Sequence, residues 1–314
     1  MIHFQELSKN TIKDHISVCI CTYRRNQMLE GLLRKLALQE TGGLFEFSVV
    51  VVDNDATGPA RETVLRLKEE LGLDISYAIE PENTIPAARN HALRLASGNY
   101  IGIIDDDEFP PRHWLCTMYK AIHTFEVDGT LGPVYPYFEQ EPPDWLVKGR
   151  FCERPVHRTG TLLRWNQTRT GNVLLKKEVF DKHNLCFDLK WKTSGSDRAF
   201  FKEAMQTGCR FIACEEAPVY EIVPPERWTK NYYLKRALVH GFNAHRNNLN
   251  QMSGLSRMIV PFKLAGTLLA YSLAMPFLAF VGTHAVMKYA EKGAHHVSHL
   301  AAMLGIELVK KRTF

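Results

Sequence analysis

The stretch "FSVVVVDND", Phe47 to Asp55, constrains the fold more than any other part of this chain. A strand with one face in water alternates apolar and polar residues. This one is nearly continuous in apolar residues, so both of its faces must be covered, as in a parallel sheet flanked by helices. The text around it supplies the partners. "ISVCICT" (Ile16 to Thr22) is a β-branched apolar strand, and "MLEGLLRKLALQ" follows it with helical spacing at Met28, Leu32, Leu36 and Gln39. A helix is expected from Pro59 to Leu71, then a strand in "DISYAIE", a helix in "IPAARNHALRLA" ended by Ser97-Gly98, and a strand in "YIGIID". Strand–helix units in succession imply a parallel sheet with right-handed crossovers. Ligands of such sheets bind beyond the carboxyl ends of the strands. The polar residues fall there: Thr22 to Arg25, Asp53 and Asp55, and Asp105 to Asp107.

A chain of 314 residues with 45% apolar and 23% charged residues can build a substantial core, in one large domain or two smaller ones. The net charge of +5 does not call for nucleic acid and suits an anionic ligand or membrane surface. Seven scattered cysteines without a CxxC pair argue against a zinc site or disulfide framework and for a reducing compartment. "MIHFQELSKN" at the start lacks the apolar core of a secretory signal. From Gly132 the chain turns rich in proline and aromatic residues. "TGNVLLKKEVF" then reads as a strand and a helix start, "GSDRAFFKEAMQTG" as a helix opened by Ser194 or Ser196 and closed by Gly208, "CRFIACEEAPVYEIV" as one or two strands, and "WTKNYYLKRALVHGFNAHRNN" as a basic aromatic helix.

Near the C-terminus, Leu264 to Met287 carries no Asp, Glu, Lys or Arg. As a helix it would reach about 36 Å, enough for a bilayer core. Pro276 near its middle predicts two half-helices that enter and return, with both ends on one side. The basic tail agrees, because basic flanks prefer the cytoplasmic face. Val297, Leu300, Ala301, Leu304 and Leu308 share one helical face, as in an interfacial helix.

The sharpest local puzzle is "IGIIDDDEFPPRHWL", where four acids, Asp105 to Glu108, follow an apolar strand. Carboxylates beside a core repel one another and resist desolvation. Three readings are open: a solvated turn with helix-capping acids, which suits Glu108; a carboxylate pair for acid–base work; or a divalent metal site for a phosphorylated ligand, since hard cations take oxygen ligands and Mg²⁺ uses one or two carboxylates plus phosphates.

Four stretches in order, "ISVCICTYRRNQML", "VVVVDNDATGPA", "PENTIPAARNHAL" and "YIGIIDDDEFPPRHWL", resemble the nucleotide-sugar domain of the family 2 glycosyltransferases. The likeness is close over Ile16 to Leu115 and looser through "LGPV", "RTGNVLLKK" and "GSDRAFF" to about His240. Within the family the chain is most similar to bacterial exopolysaccharide glucosyltransferases of the succinoglycan type. The resemblance implies a GT-A fold, an α/β Rossmann-like and mostly parallel sheet with flanking helices, followed here by C-terminal membrane-associated helices. It implies that Thr22 and Arg24 line the nucleotide pocket. Asp53 would accept the uracil N3–H, with Asp55 as the second choice, and Arg89 would sit near the nucleotide. Asp105 and Asp106 would belong to the donor site, Asp105 facing the ribose or sugar, and Asp107 would hold Mg²⁺ or Mn²⁺, the missing positive charge. The base would be Asp197, in a stretch where relatives often have two acids and this chain has Ser196 first. Many relatives complete the metal site with a late histidine. Tyr220 stands at that place, next to Glu221, which could assist the metal. The "QxxRW" signature of processive synthases is absent, and "PERW" supplies only Arg227 and Trp228.

These observations divide the chain into a nucleotide-sugar part (1–130), an acceptor part (131–250) and a membrane-anchoring region (251–314). The expected function is metal-dependent, inverting transfer of one sugar from a UDP-sugar to a lipid-linked saccharide in exopolysaccharide or surface-glycan synthesis, on the cytoplasmic face of the bacterial inner membrane. Alternatives are a polyprenyl-phosphate sugar transferase and a catalytically inactive nucleotide-sugar-binding membrane protein. A nucleotidyltransferase would bring a glycine-rich lysine signature that "CTYRRNQ" lacks. No nucleic-acid partner is expected, and the oligomeric state is left open.

Overall fold

The structure, a computed structural model, describes residues 13–191, 195–248 and 254–309. The N-terminal decapeptide, Ser194 and the last residues of the basic tail lie outside the described residues. In chain order the elements are β1 (Asp14–Thr22), α1 (Asn26–Leu36), β2 (Phe45–Asp53), α2 (Arg61–Leu71), β3 (Ile75–Ile79), α3 (Ile85–Leu95), β4 (Tyr100–Ile103), β5 (Glu108–Phe109) and α4 (Trp114–Phe125). Then come β6 (Gly129–Leu131), β7 (Val134–Tyr137), α5 (Asp144–Lys148), β8 (Val173–Lys176), α6 (Glu178–Asp181), α7 (Ser196–Gln206), β9 (Phe211–Ala213), β10 (Val219–Ile222), α8 (Lys230–Asn248), α9 (Gly254–Val281) and α10 (Thr283–Met303).

The main sheet has the order β3-β2-β1-β4-β8-β6-β9. β1 to β4 are mutually parallel, and β6 and β9 follow their direction. Only β8 runs the other way, antiparallel to both β4 and β6. Alternation along the buried strands sends side chains to two separate cores. Val49 and Val51 join Ile16, Val18 and Ile20 against α1, α2 and α4, while Val50 and Val52 join Cys19, Ile101 and Ile103 against α3 and α7. That is why β2 had to be apolar on both faces. A second sheet has the order β5-β10-β7.

Two local expectations change. α3 ends at an extended Ala96, and Gly98 serves a close approach: a Cβ there would fall 2.5 Å from the His15 carbonyl oxygen. α7 is preceded by Gly195 at φ 95, with Ser196 as its first residue rather than its cap.

Asn172, just ahead of β8, ties the sheet to α4. Its Oδ1 accepts from Trp114 Nε1 at 2.7 Å, and its Nδ2 donates to the Pro133 and Ala217 carbonyls at 2.8 Å each. It is fully buried and left-handed at φ 59, a region that asparagine tolerates better than most residues. Asn172→Ala would strand the Trp114 Nε1–H and the Ala217 carbonyl in the core, while the Pro133 carbonyl keeps its bond from the Val219 N–H. We expect a loss of about 3 kcal/mol or more, read from the urea midpoint at unchanged m. A loss below about 1 kcal/mol would show that the network relaxes.

The chain divides into two compact units. One comprises the residues up to Tyr135 with Arg154–Glu221, the other Pro136–Glu153 with Ile222–Phe314. The second unit has its own core of Leu146, Phe151, Tyr233 and Met287. In it α10 packs against both α8 and α9. The expected break at Pro276 does not occur: α9 runs without interruption through Pro261 and Pro276. A proline removes one hydrogen bond and bends a helix without having to end it. The chain turns instead at Gly282, at φ 127, where a side chain would be strained. The apolar helix therefore spans Ile259–Val281, earlier than Leu264 to Met287, and α10 returns alongside it, with Tyr271 against Tyr289 at 5.2 Å. α10 ends at Met303, so Leu304 and Leu308 lie beyond its last turn.

Candidate active site

The site lies in the first unit, at the carboxyl ends of β1, β2 and β4. Asp53 closes β2 with its side chain fully enclosed. It accepts from the backbone N–H groups of Asp55 and Ala60, at 3.1 and 2.9 Å, and from the Tyr77 hydroxyl at 3.0 Å. It thereby fixes the turn that presents Asp55. Asp55 accepts from Arg24 Nε at 2.5 Å and from both the N–H and hydroxyl of Thr57. These bonds, the Arg24 bond foremost, hold its carboxyl down to about 2.

Across the strand ends, Thr22 Oγ1 donates to Asp106 at 2.8 Å. Arg25 uses a single nitrogen, Nη1, for both Asp106 at 2.9 Å and Asp107 at 3.0 Å. Burial pushes the Asp106 carboxyl up to about 6. Asp107 adds to this, while Arg25 and the Thr22 hydroxyl oppose it. Asp105 is more open. Arg89 reaches it at 3.6 Å and Asp197, at the start of α7, at 3.4 Å. Arg89 is 9% exposed, so it is no surface arginine, and its guanidinium lies 5.5 Å over the Phe187 ring. The five sequence-predicted donor residues other than Asp53 and Asp55 divide accordingly: Thr22 joins Asp106, Arg24 joins Asp55, and Arg89 joins Asp105.

Asp197 is ionised in spite of its burial. Burial works against its charge. Arg89, the N–H groups of Asp197 itself and Thr170, and the Ser196 hydroxyl outweigh it and hold its pKa below the ordinary carboxylate value. Thr170 can do this because β8 is reversed, which starts that strand beside the end of β4.

Glu108 corrects an expectation. It is no solvated cap: it lies in β5, 2% exposed, opposite Glu221 of β10. One oxygen accepts from the Asp105 N–H at 3.2 Å, and the other is buried without a hydrogen-bond partner. Burial first, and then the Asp105 charge, push its pKa well up. Gly171 abuts it: a Cβ there would fall 2.8 Å from Glu108 Oε1. Glu221 pairs with Arg154, and Tyr220 stacks on Phe109 at 5.5 Å. Arg25, Arg154 and the buried role of Glu108 were missed in the sequence. The only local signal was the double arginine after β1.

The donor set suits a divalent cation. Six carboxyl groups, Asp105 to Glu108, Asp197 and Glu221, interact with four guanidiniums, Arg25, Arg89, Arg154 and Arg169. The cluster is short of positive charge, and burial pushes the carboxyls of Asp105, Asp106 and Glu108 up. Among the described residues no three His, Cys, Asp or Glu side chains converge on one ion. A Mg²⁺ or Mn²⁺ ion here would take one or two of these carboxylates and complete its shell with phosphate oxygens.

The model of glycosyl transferase family 2 matches residues 17–187, more than half of the chain. The chain belongs to glycosyl transferase family 2. The succinoglycan biosynthesis protein ExoM of Rhizobium meliloti (strain 1021) is 29% identical over 95% of this family 2 chain and 95% of its own. An Escherichia coli relative, the UDP-Glc:alpha-D-GlcNAc-diphosphoundecaprenol beta-1,3-glucosyltransferase WfaP, is 22% identical over 52% of this chain and 61% of its own. Among solved structures, the mannosyltransferase PcManGT from Pyrobaculum calidifontis, in complex with GDP-Man and Mn²⁺, superposes with a TM-score of 0.61 at 19% identity, over 94% of this chain and 87% of that one. That likeness establishes the GT-A fold of this family 2 enzyme.

Proposed function

We propose that the protein transfers a single sugar from a UDP-sugar to a lipid-linked saccharide with inversion, in the synthesis of a bacterial exopolysaccharide or surface glycan. One observation carries the reading: Arg89 holds an ionised Asp197 beside Asp105, so a proton acceptor stands next to the donor-side acids. WfaP, by its name, uses a UDP-sugar and a diphosphoundecaprenol-linked acceptor, which supports the donor and acceptor classes.

Asp197 takes the proton of the acceptor hydroxyl as its oxygen attacks the anomeric carbon. The bond from that carbon to the UDP oxygen breaks on the opposite face, and UDP leaves with the electron pair. Attack opposite the leaving group inverts the centre. Asp53 and Asp55 form the corner that meets the uracil N3–H, a donor that only an acceptor satisfies. Thr22 and Arg24 shape the pocket from β1, and Asp105 and Asp106 complete its sugar side. Asp107 would hold Mg²⁺ or Mn²⁺, which supplies Lewis-acid stabilisation of the departing diphosphate. Glu221, engaged by Arg154, steadies the surrounding charge. UDP release from a panel of UDP-sugars with Mn²⁺, repeated with lipid extract, tests the whole reading. No release from any donor under either condition would favour a binding protein without catalysis.

The ionisation of Asp197 sets a pH signature. A base with a depressed pKa is active down to low pH and is lost only as pH falls through that pKa. The acid limb of kcat should therefore lie below the ordinary carboxylate value. In Arg89→Met the opposing charge is gone, so the limb should move up. An unmoved limb would show that Asp197 does not govern it.

The second unit fits a membrane anchor on the cytoplasmic face. α9 is apolar over Ile259–Val281 and only 6% buried. Phe262, Leu269, Leu273, Phe277 and Phe280 stand exposed along one side of it. A crossing by α9 would draw its neighbour α10 into the bilayer, with Lys288, Glu291, Lys292 and its histidines, and ionisable groups are costly there. We therefore favour α9 lying in one leaflet. Serine at those five positions should move the protein from the membrane pellet to the supernatant. Continued sedimentation with membranes would place the anchor elsewhere.

A further inference from the structure

Arg24 and Arg25 break two local rules at once. Arg24 is held at φ 54, a left-handed conformation that non-glycine residues rarely adopt. Arg25 occupies the N-cap of α1 and makes no capping hydrogen bond. Helix N-termini favour Ser, Thr, Asp or Asn there, and they disfavour a cation, because the helix dipole presents its positive end. A chain that puts a cation where its own helix repels it has raised the pull of that place on anions.

The hydrogen bonds of Arg25 point the same way. Both carboxylates, Asp106 and Asp107, are met by Nη1. A guanidinium carries five N–H groups. Those on Nε and Nη2 have no acceptor among the described residues. The side chain is 41% exposed, which leaves it within reach of a ligand. Paired guanidinium N–H groups match two phosphate oxygens in a fork that an ammonium cannot copy.

We propose that Arg25 is a fixed seat for the diphosphate of the nucleotide-sugar donor, with Nη1 anchored on Asp106 and Asp107 and the Nε–Nη2 edge on a phosphate. The inference rests on the donor reading above and adds a positioning residue to it. Arg25 lets the chain bind diphosphate with its own cation, so part of donor affinity survives without a divalent ion.

Calorimetry in EDTA tests this with UDP, uridine and geranyl diphosphate as probes. Native protein should bind UDP more tightly than uridine. Arg25→Ala should weaken UDP at least tenfold and leave uridine unchanged, with folding checked by circular dichroism and thermal midpoint. Arg25→Lys keeps the charge but cannot grip carboxylates and phosphate together, so it should still lose several-fold in UDP affinity. Full rescue by lysine would overturn the seat in favour of a through-space charge effect. Equal losses for UDP and uridine would overturn it in favour of a role in pocket shape. A loss confined to geranyl diphosphate would place the phosphate of a lipid-linked acceptor there and overturn the donor assignment. If native protein binds no UDP with or without Mn²⁺, the donor reading itself fails. If native protein binds UDP and Arg25→Ala binds it equally well, only the present inference fails.

Discussion

Asp197→Asn is expected to remove sugar transfer and leave UDP binding intact. The amide is nearly the same size and still accepts from the Thr170 N–H, so α7 and its approach to Arg89 keep their shape. What disappears is the basic lone pair and the charge. General-base catalysis contributes about 10² to 10⁴ in rate, and that range is the expected fall in kcat, measured as UDP release with an acceptor present. The Kd for UDP should change by less than about threefold, because donor binding does not draw on the proton acceptor. A variant that loses donor affinity but turns over normally would show that Asp197 belongs to the donor pocket and that the base lies elsewhere.

Removal of the cation site has an effect of similar size. EDTA should abolish transfer, and Asp107→Ala should abolish it even with excess Mn²⁺. The donor's diphosphate gains charge as UDP departs, and a divalent ion offsets several kcal/mol of it. On about 4 kcal/mol, the loss is roughly a thousandfold. Mn²⁺ binding followed by electron paramagnetic resonance in the presence of UDP should fall in parallel. Full activity in EDTA would show that the arginines around these acids suffice, and the metal assignment would be wrong.

The sheet and its carboxyl ends were legible because their signals are local. An apolar run ending in acids marks both the buried strand and the end of it that carries the site, as in β2 with Asp53 and Asp55. The pairings that give those acids their chemistry are remote. Arg25 meets residues more than eighty positions away. Glu108 is buried because β5 pairs with β10, and neither the two-residue strand nor its partner across the chain has a periodicity to read. Arg154 comes from the irregular proline- and aromatic-rich tract, where no pattern fixes direction. Pro276 misled for the opposite reason. Its local signal is strong, but the helix around it continues, and Gly282 makes the turn.

The way α10 returns has a practical consequence for making the protein. The direct route to a soluble form would be to stop the chain before the apolar helix. Such a cut also deletes Met287 from the core it shares with Leu146, Phe151 and Tyr233. It removes as well the Ser298 hydroxyl that bonds the Leu238 carbonyl at 2.6 Å, and Glu291, the partner of Arg236 at 3.3 Å. The shortened chain would exchange one sticky surface for another, with α8 bared along its inner side. Recolouring the outer side of α9 with polar residues, while leaving its Leu264, Leu268 and Tyr271 side to α10, keeps the whole helical unit and is the better route to a crystal.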